Sequence, residues 1–302
     1  MLQCATVLTG ALLLLKYRSL RSSVAQRQSN RLLTDRLLVR VQPEEPQGGG
    51  YFAHRLFFRQ APYSGSLPVT SRVARLGRAF RVRQREAGVT SGDAFDFARY
   101  FARVHRGALW HEMHVGMAVY AGATRPGLAV LDVGCGPGRL VHHLQGQRVQ
   151  IVGADADPAV LAKSHSLFPG LPLVRALAEA LPWPDGVFDA VLAGNLLFLV
   201  AEPLVVLREM VRVTRPGGRV ALWNPSERMS QAAAAAFVRA QPTLDPFEQK
   251  HLVNWARVAE NNRRWSAADL QSLFAHTDLI EFESVTVIEG LARYVRGRKR
   301  PA

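Results

Sequence analysis

Cysteine is nearly absent from this 302-residue chain, which holds only Cys4 and Cys135. Two cysteines cannot build a disulfide framework or a four-ligand zinc site, so a reducing, cytoplasmic setting and no bound metal are expected. Long apolar runs are lacking as well. The run ALLLL, within Leu2 to Leu15, falls short of the roughly 20 apolar residues a membrane span needs. Its basic residues, Lys16, Arg18 and Arg21, follow the run rather than precede it, unlike a secretory signal, so no membrane span or export is expected. Acidic residues are scarce, but unevenly. The chain carries 38 Lys/Arg against 24 Asp/Glu, a net charge of +14. Residues 1–88 hold 15 of those cations and 4 acids, whereas residues 89–302 hold 23 and 20. A basic chain suggests a nucleic-acid or anionic-membrane partner. Here that argument attaches to the first 88 residues alone.

Those 88 residues read differently from the rest. Residues 22–46, SSVAQRQSNRLLTDRLLVRVQPEEP, show little periodicity and run into a linker-like PEEPQGGG. The string resembles the conceptual translation of a transfer-RNA gene, which implies a start placed too early, with Val89 as the candidate true start. The alternative is a disordered basic arm, Arg-rich from Arg72 to Arg85, able to bind nucleic acid or phospholipid without sequence preference.

From residue 89 the chain is organised. An apolar content of 48% supports a sizeable core from about Leu128 onward. Phe97, Tyr100, Phe101 and Val104 recur at helical spacing, so Asp93 to Ala121 is expected to be helix, broken near Gly107, with Asp93 as N-cap. Short apolar runs then alternate with amphipathic stretches. LAVLDVG, VQIVGAD, LPLVRAL, FDAVLAGN and RVALWNP read as strands, and Pro216-Gly217-Gly218 as the turn into the last of these. RLVHHLQG, PAVLAKSHSLF and PLVVLREMVRVT read as the intervening helices. This alternation predicts a doubly wound α/β fold with a parallel sheet and its ligand at the carboxyl ends of the strands. Residues 226–264 interrupt the rhythm with two helical stretches, QAAAAAFVRAQ and EQKHLVNWARVAENN. They read either as a substrate lid carrying Phe237, Phe247 and Trp255 or as a helical pair that covers the sheet. SAADLQSLFAHT follows as a helix capped by Ser266, with Asp269 placed for a capping box. IEFESVTVIEG and LARYVRGRK close the chain as an antiparallel pair.

The chemistry-bearing stretch is VLDVGCGPGRL, residues 130–140. A buried strand runs into Gly134-x-Gly136-x-Gly138 and then a helix. Glycines permit a sharp turn and direct contact between ligand and main chain, and the first N–H groups of the helix are free donors. A dinucleotide loop would be G-x-G-x-x-G, but here Arg139 occupies the last position. Asp132 precedes the first glycine by two. Asp155 ends the next strand, where a carboxylate can accept hydrogen bonds from ribose hydroxyls.

These motifs resemble the class I S-adenosylmethionine (SAM)-dependent methyltransferases, in particular the small-molecule group that includes the ubiquinone and menaquinone C-methyltransferases. LDVGCGPG is similar to that family's first motif and GADADP to its second. AEALPWPDGVFDAVLAGNLLFLV, LREMVRVTRPGGRVAL and the tail WSAADLQSLF…LARYVRGRK follow in the family's order. The resemblance implies a seven-stranded, mostly parallel sheet and SAM as cofactor. Asp132, Gly134, Cys135, Gly136 and Gly138 would hold its methionine part. Asp155 would bind the ribose, Ala156, Ala178 and Glu179 would border the adenine, and Asn195, Leu196 and Leu197 would pass under the sulfonium. Leu177 departs from the family, which commonly has an acidic residue there.

The chemistry asks mainly for alignment and exclusion of water, so no catalytic triad is expected. Cys135 matches a small loop residue better than a nucleophile. His111 and His114, beside Trp110, are the candidates for a base or lid role, set against a surface or core placement. Trp223 and Asn224 end the fifth strand, where acceptor contact and packing compete. The expected function is methyl transfer to a small-molecule acceptor. RNA or protein methylation, drawing on the basic arm, and a non-catalytic SAM-binding module are the alternatives.

Overall fold

The computed structural model describes residues 96–302. The expectations for residues 1–88, for the start at Val89 and for Asp93 lie outside that range. Among the described residues the first helix begins at Phe97, capped by Asp96, whose carboxylate accepts the Arg99 N–H at 2.9 Å.

Helices α1 (Phe97–Val104) and α2 (Ala108–Tyr120) are separated by a break at 105–107, where Gly107 takes the extended N-cap conformation of α2. The alternating portion follows as β1 (Ala129–Val133), α3 (Arg139–Gly146), β2 (Gln150–Asp155), α4 (Pro158–Leu167), β3 (Leu173–Arg175), β4 (Phe188–Gly194), α5 (Pro203–Val213) and β5 (Thr214–Pro225). Then come α6 (Gln231–Arg239), α7 (Pro246–Glu260), α8 (Ala267–Ala275), β6 (Leu279–Val287) and β7 (Ala292–Lys299). Strand β3 is only three residues long, shorter than LPLVRAL suggested. Strand β5 is longer than expected. Thr214 already pairs with Phe188, and the pairing resumes at Ala190 and Arg219, so the Pro216-Gly217-Gly218 turn forms an excursion inside the strand.

The seven strands lie in the order β3-β2-β1-β4-β5-β7-β6. Strands β1 to β5 are parallel, and β7 runs antiparallel to both β5 and β6. All five residues of β1 are buried, as a central strand covered on both faces must be. The order reverses between β1 and β4, and the crevice at their carboxyl ends is where this topology places a ligand.

Two apolar layers sandwich the sheet. One gathers Met113, Met117, Leu140, Leu144, Leu192 and Trp223 under α2 and α3. The other gathers Leu131, Val191, Leu207, Met210, Leu222 and Phe274 under α5 and α8. The 226–264 insertion folds as the two expected helices. Its neck is closed where Trp265 N–H donates to Pro225 O at 3.1 Å and Ser226 bridges Trp265. Asp245 and Pro246 start α7, the carboxylate accepting the Phe247 N–H at 2.8 Å. Ser266 and Asp269 form a complete capping box on α8. Among the described residues no helix is long and apolar enough to cross a membrane.

Candidate functional site

The loop after β1 is wound by three glycines in the left-handed region, Gly134 (φ 71°), Gly136 (φ 55°) and Gly138 (φ 74°). Its path is tied to β2. Gly134 and Cys135 N–H both donate to Ala154 O, at 2.8 and 3.0 Å, and Gly136 N–H donates to Asp155 Oδ2 at 2.9 Å. Asp155 Oδ1 accepts the Asp157 N–H at 2.9 Å. Both carboxylate oxygens therefore accept from the backbone, which fixes the carboxylate at the end of β2. Asp132 lies buried one strand away. Burial, reinforced by the Asp155 charge, raises its carboxyl to about 8. The Asp155 charge acting on buried Asp132 favours a cation or hydroxyl donors beside the pair. Cys135 does not face that crevice. Its sulfur packs toward Gly153 in β2, and burial pushes the thiol well above its ordinary range, so it is a packing residue.

Ala156 is exposed just past β2. Ala178 and Glu179 form the corner of a tight turn closed by the Leu177–Ala180 bridge, one step beyond the Ala176 N–H that donates to Asp155 O at 3.0 Å. Leu177 itself is part of that bridge. Past β4, Asn195 adopts φ 56°. Its N–H donates to Trp223 O at 2.7 Å and its Oδ1 accepts Trp255 Nε1–H at 2.9 Å. Leu196 reaches back to the glycine loop: a methyl group added at Gly134 would meet its Cδ1 at 3.1 Å. Leu197 points the other way, fully buried in the layer under α5, so only its backbone remains on the crevice side. The sequence-derived set thus gathers at the ends of β1, β2, β3 and β4, with the side chains of Cys135 and Leu197 turned into the core.

Opposite this row stands an aromatic wall. Trp110 and His114 in α2 are four residues apart, as are His251 and Trp255 in α7, so each helix presents one Trp and one His on one face. Trp110 meets Trp223 at 5.0 Å, Trp255 at 5.3 Å and His251 at 4.7 Å between ring centroids. His105, in the break before α2, lies 4.9 Å from His114 and rests against Gly136. The Tyr100 hydroxyl and His251 Nδ1 share a hydrogen bond of 2.6 Å. Burial lowers His111, His114 and His251 to about 4, and His105 well below its ordinary value, so all four are uncharged at neutral pH. The two histidines singled out from the sequence part company here. His114 faces the wall, whereas His111 turns toward α3 and meets His143 at 5.0 Å. Sequence reasoning passed over Tyr100, His105 and His251. The repeated Trp/His spacing signals His251, but nothing local signals His105.

A sequence profile described as "Methyltransferase domain" matches residues 131–222. The ubiquinone/menaquinone biosynthesis C-methyltransferase of Shewanella frigidimarina is 36% identical over 210 residues, which cover 65% of this chain and 81% of that protein. The 2-phytyl-1,4-naphtoquinone methyltransferase of Synechococcus elongatus is 33% identical over 163 residues, covering 50% of this chain. The chain spans 65% of the length of that cyanobacterial relative and 47% of the demethylmenaquinone methyltransferase of Beutenbergia cavernae. Among solved structures, the plantazolicin methyltransferase in complex with a substrate analogue and SAH superposes with a TM-score of 0.53 at 10% identity, covering 75% of this chain and 99% of that one. A SAM-dependent methyltransferase from Aquifex aeolicus gives 0.50 at 16%, covering 68% and 100%. These two likenesses concern the fold.

Proposed function

Because the chain belongs to the class I SAM-dependent methyltransferases, we propose that it transfers a methyl group from SAM to a small-molecule acceptor at the carboxyl ends of β1 and β4. The observation that carries this reading is the glycine loop hung on Asp155, with buried Asp132 beside it. That cradle suits a ligand with cationic groups and ribose hydroxyls. Asp132 and the backbone of Gly134 to Gly138 would hold the methionine part. Asp155 would take the ribose, and Ala156, Ala178 and Glu179 would border the adenine. Asn195 and Leu196, with the Leu197 backbone, would line the sulfonium side. The bound cofactor supplies an activated methyl group, so the chain's own residues need only align the acceptor and keep water out.

A small acceptor is supported by the wall of uncharged His and Trp side chains and by quinone-directed relatives. The α6–α7 pair serves as the acceptor's lid, tethered to the β4 loop through Trp255 and to α2 through Glu248, whose Oε1 accepts the Leu109 N–H at 2.9 Å. The two-cysteine composition supports a cytoplasmic setting. Calorimetric titration of SAM and of S-adenosylhomocysteine (SAH) into the full chain tests the reading. Micromolar binding of both is expected, and a folded protein that binds neither overturns it.

A further inference from the structure

Helix α2 has no cap of its own. Gly107 at its N-cap has no side chain to accept a first-turn N–H, and that turn, Ala108 to Trp110, holds no acid. The acceptor comes from another helix. Glu248, in the first turn of α7, accepts the Leu109 N–H on Oε1 at 2.9 Å. Leu109 is the second residue of α2, and its N–H is one that an N-cap side chain ordinarily satisfies. The backbone does not demand glycine at 107, since φ −62° and ψ 142° suit any residue. What the glycine provides is room. A Cβ there would meet Glu248 Cδ at 2.8 Å and Cγ at 2.9 Å. Burial and the Asp245 charge raise the Glu248 carboxyl, while the Leu109 and Asp245 N–H groups lower it. One carboxylate therefore serves the positive ends of both α2 and α7.

The same turn of α2 places the centre of the aromatic wall. Glu248, His251 and Trp255 follow one another at steps of three and four residues, so they share one face of α7. On that face His251 meets Trp110 at 4.7 Å and Trp255 meets it at 5.3 Å between ring centroids. Trp110 is the third residue of α2 and is buried. Helix ends open first when their N–H groups lose their partners. Without Glu248, the turn that loosens is the one that carries Trp110.

We propose that Glu248 is a positioning residue of the acceptor site, capping α2 from the lid helix so that the first turn of α2, with Trp110, is set while α7 is seated. This rests on the reading of α6 and α7 as a lid given above. The two elements then order together. When α7 leaves, α2 loses its cap, and when the first turn of α2 opens, the Glu248 carboxylate loses its donor.

The test is amide hydrogen exchange on the full chain without ligand, read in the first turn of α2 and, as a reference, in α3. E248A should speed exchange in that turn by about fivefold, the effect of losing one helix cap, and leave α3 unchanged. E248Q, whose amide oxygen can still accept the Leu109 N–H, should keep most of the protection. G107S by itself crowds Glu248 and should lower protection. In E248A/G107S the hydroxyl has room to cap α2 directly, and protection should return. W255F, which loosens α7 from Asn195, should speed exchange in the α2 turn of the wild type but not of E248A/G107S, whose cap no longer comes from α7. If E248A does not fold, E248Q and E248A/G107S carry the comparison. Unchanged exchange in E248A, no recovery in E248A/G107S, or an equal response to W255F in both backgrounds overturns the proposal. The exchange pattern needs no cofactor, so a wild type that keeps this pattern but fails to bind SAH instead removes the methyltransferase reading.

Discussion

Trp255 Nε1–H donates to Asn195 Oδ1 across 2.9 Å, joining the inserted helix α7 to the loop that leaves β4. Asn195 sits there in a left-handed conformation, with its own N–H donating to Trp223 O. The inserted helix and the loop after β4 are therefore held together by one residue pair.

Trp255→Phe keeps most of the ring packing but leaves Asn195 Oδ1 without this partner in a half-buried place. The expected loss is about 1–3 kcal/mol of stability, read by chemical denaturation. Acceptor KM should rise more than the SAH dissociation constant does, because the tether positions the lid rather than the cofactor loop. Equal effects on both would sink the lid assignment.

The loop glycines should separate stability from binding. A Cβ at Gly138 would collide with Ser164 Oγ and approach Leu171 Cδ1 to 2.9 Å, in a left-handed conformation. Gly138→Ala is expected to destabilise the fold by about 2 kcal/mol or more. A Cβ at Gly136 would meet only the His105 ring, at 3.4 Å, an ordinary contact. Gly136→Ala should cost only about 1 kcal/mol of backbone strain while weakening SAH binding, since the added methyl narrows the cradle. Thermal melts with and without SAH distinguish the two variants.

Asp132 makes ligand-free stability fall as pH rises from about 4 toward 8. Burial and the Asp155 charge raise its folded value to about 8, above the ordinary value of about 4 in the unfolded chain. The folded state then holds a proton that the unfolded state has lost. The favourable contribution is full below about pH 4 and is lost as pH rises toward 8. Asp132→Asn removes this dependence, so the variant should gain on the wild type between pH 5 and pH 8 in melts without ligand. A pH-independent difference between the two would contradict the placement of Asp132.

The buried histidines impose the opposite dependence. His111, His114 and His251 are lowered to about 4 by burial, against about 6.5 unfolded. Their contribution is present above the unfolded value and is lost as pH falls from about 6.5 toward 4, because the unfolded chain takes up protons first. The denaturation midpoint should drop across that window, and His251→Gln should make the drop shallower. An unchanged slope in His251→Gln would show that this ring is not buried in solution.

Much of the architecture was legible because its causes are local. Apolar runs of strand length alternating with amphipathic stretches dictate a parallel sheet. Gly134, Gly136 and Gly138 announce left-handed turns that other residues resist, and Ser266 with Asp269 announces a helix start. Even so, β3 proved shorter than its apolar run and β5 longer, since pairing with a neighbouring strand decides where a strand ends.

The sequence by itself determined the order of elements, the glycine loop and the acid at the end of each of the first two strands, all through short-range sterics and periodicity. Only the tertiary structure decided which way the side chains face. Cys135 turns into the core, Leu197 belongs to the layer under α5, and His114 rather than His111 joins the aromatic wall. His105 meets a loop 31 residues away and Trp255 meets Asn195 across 60. Contacts of that separation depend on how the insertion and the first two helices settle on the sheet, and no local pattern encodes it.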